Sequence, residues 1–187
     1  MESAKLTYAE FMQLPYDGYY YELIDGEVVR YASCYTKHQL VRGHLGTRLW
    51  QYLRDSLERC VFFAPIGILI ADDLVLMPDI VVVKNELLTE YDIHGVPDIV
   101  VEILSEESRH ADETTRFSAY ERHGVPEYWI IDPAAESVKF YRRDANDKFQ
   151  CAIELTCATG GMITSPLLPG FQEPIADIFD RVFKPAP

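Results

Sequence analysis

Hydrophobic and polar positions along the chain alternate in two rhythms, one near 3.6 residues and one of two. From Thr36 to about Leu57 the residues Leu40, Leu45, Leu49, Trp50, Leu53 and Leu57 recur at helical spacing, which predicts one long amphipathic helix with His38 in its first turn. Before it, Thr7 with Glu10 three residues later forms a capping-box pattern for a short helix, TYAEFMQL, stopped by Pro15. GYYYELI and EVVRYAS then flank Asp25-Gly26, the strongest short-range signal for a β-hairpin. Glu22 lies in its first strand, where a polar residue on the exposed side is the default reading, although Glu22 is also the nearest spare carboxylate upstream of the acidic residues below.

Strand rhythm dominates after the long helix. CVFFAPIGILI, the turn Ala71-Asp72-Asp73 and LVLMPDIVVV read as a second hairpin. Turn chemistry accounts for Asp72 and Asp73. The polar connector KNELLTEYDIHGV reads as a loop or short helix and leads into PDIVVEILS. A helix follows from Ser105 or Ser108 to about His123, closed by Gly124. EYWIIDP is a strand, SVKFYRRDANDKFQCAIELT a hairpin turning at Asp144 to Asp147, and LLPGFQEPIADIFD an edge segment with a terminal helix. The order predicts an α/β fold in a single domain over residues 1–187, a mixed central β-sheet flanked by helices with an N-terminal β-hairpin.

Composition narrows this picture. At 187 residues, 48% hydrophobic and 25% charged, the chain matches an ordinary globular domain able to bury a sizeable core without disulfides. No apolar run reaches the length of a membrane span, and the N-terminus lacks a basic region followed by an apolar stretch, so a cytoplasmic location is expected. Cys34, Cys60, Cys151 and Cys157 form no CxxC pair and read as reduced, partly buried thiols. The net charge of −13 argues against strong non-specific nucleic-acid binding, which depends on Lys and Arg displacing counterions. Between Lys37 and Arg59, however, five cations face only Asp55 and Glu58, a local net of +3, which fits a solvated helix face or a phosphate-contacting one.

Candidate chemistry concentrates between Met77 and Asp132. Two aliphatic runs there each carry a carboxylate, Asp79 and Glu102, 23 positions apart on strands that can lie side by side. An ionised carboxylate among packed aliphatics costs several kcal/mol unless a cation compensates it. Two oxygen donors at such a meeting point suit Mg²⁺ or Mn²⁺, and a bound ion of that kind serves phosphodiester hydrolysis.

A Pro-Asp on one strand and a glutamate on the next resemble the PD-(D/E)XK nuclease superfamily. Within it, the chain is similar to a bacterial family of restriction-endonuclease-like proteins, formerly a domain of unknown function. The resemblance runs through YYELIDGEVV, the His38 helix start, MPDIVVV, PDIVVEILS, YERHGVPEYWIIDP and LLPGF. It implies a Mg²⁺- or Mn²⁺-dependent endonuclease acting on DNA, with Asp79 and Glu102 as metal ligands and the backbone carbonyl of Ile103 as a third donor. The motif's lysine is expected two residues after the glutamate, where Leu104 stands. In the family the lysine moves to the following helix, four residues after an aspartate and four before a tyrosine, which here are Asp112 and Tyr120, so Arg116 takes its place. The resemblance implies that Arg116 stabilises the transition state and that Glu22 completes the site through a water or second metal. Read from the residues alone, Arg116 is equally a surface helix residue pairing with Asp112 or Glu113, and His38 is either a surface or capping residue at a helix start or a member of the catalytic set. Asp132 and Tyr128 also match the family pattern, but a strand-ending Asp-Pro and a packed aromatic explain them. Enzymes that cut both strands often act as dimers, so a homodimer on nucleic acid is expected. The Lys-to-Arg exchange and the acidic charge leave a second reading open, an inactive endonuclease-fold protein that binds nucleic acid or a protein partner.

Overall fold

A computed structural model describes residues 5–30 and 35–180. Helix α1 (Tyr8–Phe11) carries the complete capping box between Thr7 and Glu10. Strands β1 (Tyr21–Ile24) and β2 (Glu27–Arg30) form the N-terminal hairpin. Asp25 and Gly26 between them both have positive φ, 51° and 77°, as the tight turn of a twisted hairpin requires. Cys34 and the end of the predicted second strand lie outside the described residues.

Helix α2 (Thr36–Leu53) buries His38, Val41, Leu45, Leu49 and Leu53 along one stripe. It ends a turn earlier than the apolar pattern predicts. The hydroxyl of Ser56 accepts from the amides of Glu58 and Arg59, turning the chain and leaving Leu57 exposed. Trp50 also falls off the buried stripe, because it is rotated by about 100° from Leu49 on the helix, and it stands 53% exposed.

The predicted second hairpin is bent across two sheets. One arm divides into β3 (Arg59–Phe63) and β4 (Ile68–Ala71), the other into β5 (Leu74–Leu76) and β6 (Ile80–Lys84). Pro65 and Pro78 sit at the two breaks, where a residue without an amide proton cannot continue a ladder. Strands β4 and β5 pair with each other, β3 pairs with β6, and Asp79 occupies the bend just before β6. The connector after β6 is more than a loop. It supplies β7 (Ile93–His94), which pairs parallel with β4.

Strand β8 (Ile99–Ile103) leads to two helices, α3 (Arg109–Glu113) and α4 (Thr115–Arg122), instead of the single one predicted. The break falls at Thr114, whose φ of −130° and ψ of −76° are not helical and whose hydroxyl donates to the His110 carbonyl at 2.5 Å. Gly124, at φ 87°, ends α4 as its sequence position indicates. Strands β9 (Glu127–Asp132), β10 (Ser137–Arg143) and β11 (Phe149–Thr156) follow, with the expected turn at Asp144, whose carboxylate accepts from the Asn146 and Lys148 amides. The chain then forms the pair β12 (Met162–Ser165) and β13 (Leu168–Pro174), followed by α5 (Ile175–Ile178).

The sheets run β11-β10-β9-β8-β6-β3, mixed because only β8 and β9 are parallel, and β2-β1-β5-β4-β7. Period-two alternation sends Ile80, Val82, Ile99, Val101, Ile103, Trp129 and Ile131 towards α2 and the C-terminal hairpin. Val81, Val83, Val100, Leu104, Tyr128 and Ile130 face α4 and the smaller sheet. Parity therefore directs Glu102, between Ile103 and Val101, towards α4.

Candidate active site

Asp79 and Glu102 meet because β6 and β8 are antiparallel neighbours with Ile80 opposite Val101. Both are 3% exposed. The Asp79 amide donates to Glu102 Oε2 at 3.3 Å, and the Ile103 amide donates to Asp79 Oδ2 at 2.8 Å. His38 reaches the same oxygen, with Nε2 at 2.9 Å. A carboxylate only accepts, so the ring proton lies on Nε2. The other ring nitrogen, Nδ1, is buried without a hydrogen-bond partner among the described residues. Arg42, one turn along α2, brings Nη1 to 4.0 Å of Asp79 Oδ1.

On the α4 side, the Tyr120 hydroxyl donates to Glu102 Oε1 at 3.0 Å. Burial holds the Glu102 carboxyl well above the usual carboxylate range, with Asp112, Asp79 and Glu22 adding to the effect and Arg116 opposing it. Burial likewise holds the Tyr120 phenol well above its ordinary value, so it stays a proton donor.

Arg116 is buried and faces carboxylates throughout. Nε lies 3.1 Å from Glu22 Oε2, Nη2 also contacts that oxygen, and Nη1 lies 2.7 Å from Asp112 Oδ1. Burial by itself would lower the Arg116 pKa, but Glu22, Glu102 and Asp112 together drive it further upward. Asp112 is pushed by burial to about 6, against the pull of Arg116. Glu22, fully buried instead of exposed, also accepts from the Met77 amide at 2.9 Å. That bond ties the N-terminal hairpin to the bend that delivers Asp79.

All five predicted side chains, Glu22, His38, Asp79, Glu102 and Arg116, thus join one connected cluster. Sequence reasoning offered Asp112 as an ion-pair partner of Arg116 and used Tyr120 only as an alignment mark; each bonds a cluster member. It took Arg42 for part of a basic face. Most of that face is paired, since Arg48 bonds Glu173, Arg54 bonds Asp55 and Arg59 bonds Asp98. Asp132 bonds Arg109 at 2.9 Å, and Tyr128 donates to the Asp112 carbonyl. Among the described residues, no three His, Cys, Asp or Glu side chains form a ready-made metal cage, and no helix is long and apolar enough to cross a membrane.

The mixed sheet, with Pro-Asp entering one strand and a glutamate on its neighbour, is a restriction-endonuclease-like nuclease fold. The chain belongs to the Uma2 family, described as "Putative restriction endonuclease", whose profile matches residues 8–177. A solved structure of "a putative nuclease belonging to DUF820" from Anabaena variabilis superposes with a TM-score of 0.77 at 20% identity, covering 95% of this chain and 99% of that one. The type IIG restriction endonuclease BpuSI is a more distant neighbour, with a TM-score of 0.40 at 14% identity over 81% of this chain and 17% of its own. No curated protein matches the sequence.

Proposed function

We propose that the chain is a metal-dependent endonuclease that hydrolyses DNA phosphodiester bonds. The observation that carries this is the meeting of Asp79, in the bend just before β6, with Glu102 on the neighbouring β8, where the Asp79 backbone amide lies 3.3 Å from the Glu102 carboxylate, in surroundings that disfavour ionised Glu102. Such a pair gains from a cation. Mg²⁺ and Mn²⁺ accept one or two protein carboxylates and keep waters on their remaining positions, so the donor set fits without a third acidic ligand. Asp79 and Glu102 would hold the ion with the Ile103 carbonyl, and the ion would supply an activated water and neutralise charge on the phosphoryl group.

The chain's own residues prepare that site. His38 and the Ile103 amide fix one oxygen of Asp79, and Tyr120 fixes one of Glu102. Leu104 is buried where the superfamily carries lysine. The nearby cation is Arg116, which stays protonated and acts by its charge, not as a base.

Nicking of supercoiled plasmid in Mg²⁺ or Mn²⁺ tests the reading. It should disappear with EDTA and in Asp79→Ala and Glu102→Gln, each with an unchanged far-UV spectrum. Nicking that survives in Asp79→Ala, or a wild-type protein whose melting temperature ignores both metals, counts against it. One observation favours the second reading, an inactive endonuclease-fold protein that binds nucleic acid or a protein partner: the Arg116 guanidinium is already occupied by Glu22 and Asp112. Arg116→Lys separates the two. Cleavage confined to that variant assigns the natural chain to the second reading.

A further inference from the structure

We propose that the outer face of α2 carries a stacking site for an unpaired nucleobase of the substrate strand, with Trp50 and Phe63 as its aromatic walls. The inference rests on the nuclease reading and specifies the substrate as locally single-stranded. A cleft of about 380 Å³ opens there, with Arg42, Gly43, Gly46, Trp50 and Phe63 in its lining. Phe63 is 38% exposed and Trp50 53%, and neither ring meets another aromatic ring among the described residues. Gly46 makes the site possible, because a Cβ at that position would lie 2.4 Å from the Phe63 ring. The helix backbone therefore supports one wall directly.

Two links join this cleft to the acidic cluster. Phe63 pairs with Ile80, the residue after Asp79, and the Ala64 amide donates to the Asp79 carbonyl at 3.1 Å. Arg42 lines the cleft and stands 4.0 Å from Asp79 Oδ1. From Arg42 to Trp50 the helix rises about 12 Å, roughly three to four nucleotides of a stacked strand. A strand with its phosphate at Asp79 can thus place a base at Trp50.

Charge also favours a polyanion. In a chain of net charge −13, this cleft is lined by one cation and no carboxylate. The cleft by His44 and Arg48 contains Glu173, Asp177 and Asp180, and in the cleft by His38 the cations Lys37 and Arg109 are balanced by Glu106 and Asp132. Sequence-tolerant stacking of bases on aromatic rings beside a cation is a general solution to single-strand binding.

Trp50 is its own probe, since the other of the two tryptophans, Trp129, is fully buried against Phe140. Emission is followed in EDTA while a thymidine oligonucleotide, or a blunt duplex of the same length, is added. Saturable quenching by the single strand, weaker with the duplex, is expected. For the variants, binding is read by anisotropy of an end-labelled oligonucleotide, which does not depend on Trp50: Trp50→Ala should raise the dissociation constant about tenfold, and Trp50→Phe should recover most of that loss. Equal affinity in Trp50→Ala, a preference for duplex, or emission that changes only with protein concentration, as when a second copy fills the cleft, overturns the proposal. Plasmid cleavage with Trp50 unquenched removes the stacking site and leaves the nuclease reading. Quenching without cleavage does the reverse.

Discussion

Arg116 shows how much depends on a single side chain here. Its guanidinium serves Glu22 and Asp112 at once, and removing one partner of a buried ion cluster leaves uncompensated charge. Arg116→Met is therefore expected to lose about 3–5 kcal/mol of stability at pH 8, measured by urea denaturation. Asp112 gives the network a pH dependence. Its carboxyl is raised by burial to about 6 in the folded protein, from the ordinary aspartate value of 3.8, so the folded state holds a proton that the unfolded chain has released. This contribution is complete below about pH 4 and is lost as pH rises through about 6, for a total on the order of 2–3 kcal/mol. Urea titrations between pH 4 and 8 should show wild type losing stability relative to Asp112→Asn over that window. A constant difference would contradict the assignment.

Among the elements, the N-terminal hairpin does more than its local pattern indicates. Its turn is legible in Asp25-Gly26, but its purpose lies in Glu22, which reaches both Arg116 and the Met77 amide. Gly26 has φ 77° and a Cβ there would lie 2.7 Å from the Lys5 Cβ. Gly26→Ala should cost about 1–2 kcal/mol or more, read as a lower urea midpoint, and the metal-dependent nicking should fall with it as Glu22 shifts. Strand β8 teaches the opposite lesson. Its alternation is fully local, and it was enough to set Glu102 on the α4 face. The breaks at Thr114 and in the bent second hairpin were not legible, because a continuous apolar run reads the same whether it stays in one sheet or passes into another.

At the scale of the whole molecule, the acidic net charge is compatible with the proposed nuclease activity because the charge is sorted. Most of the α2 and β3 cations have carboxylate partners, so few remain for phosphates. DNA affinity should then fall with salt along a shallow slope, corresponding to about two or three phosphate contacts, measured by anisotropy over a range of salt. Among the described residues, Asp79 and Glu102 form a single candidate site per chain. A homodimer, as expected for double-strand cleavage, should linearise plasmid and sediment at twice the chain mass, whereas a monomer should only nick it.

What depends on neighbours in the chain was legible locally: the capping box at Thr7, the Asp25-Gly26 turn, the Leu45, Leu49 and Leu53 positions of α2 and the strand character of β6 and β8. The sequence also marked Asp79 and Glu102, because a carboxylate inside an aliphatic run violates the pattern locally. Which charge compensates which depends on the folded chain. Glu22 and Arg116 are separated by 94 positions and His38 and Asp79 by 41. Their pairing arises from sheet order, helix placement and burial, which create strong electrostatic coupling between residues that no local periodicity connects.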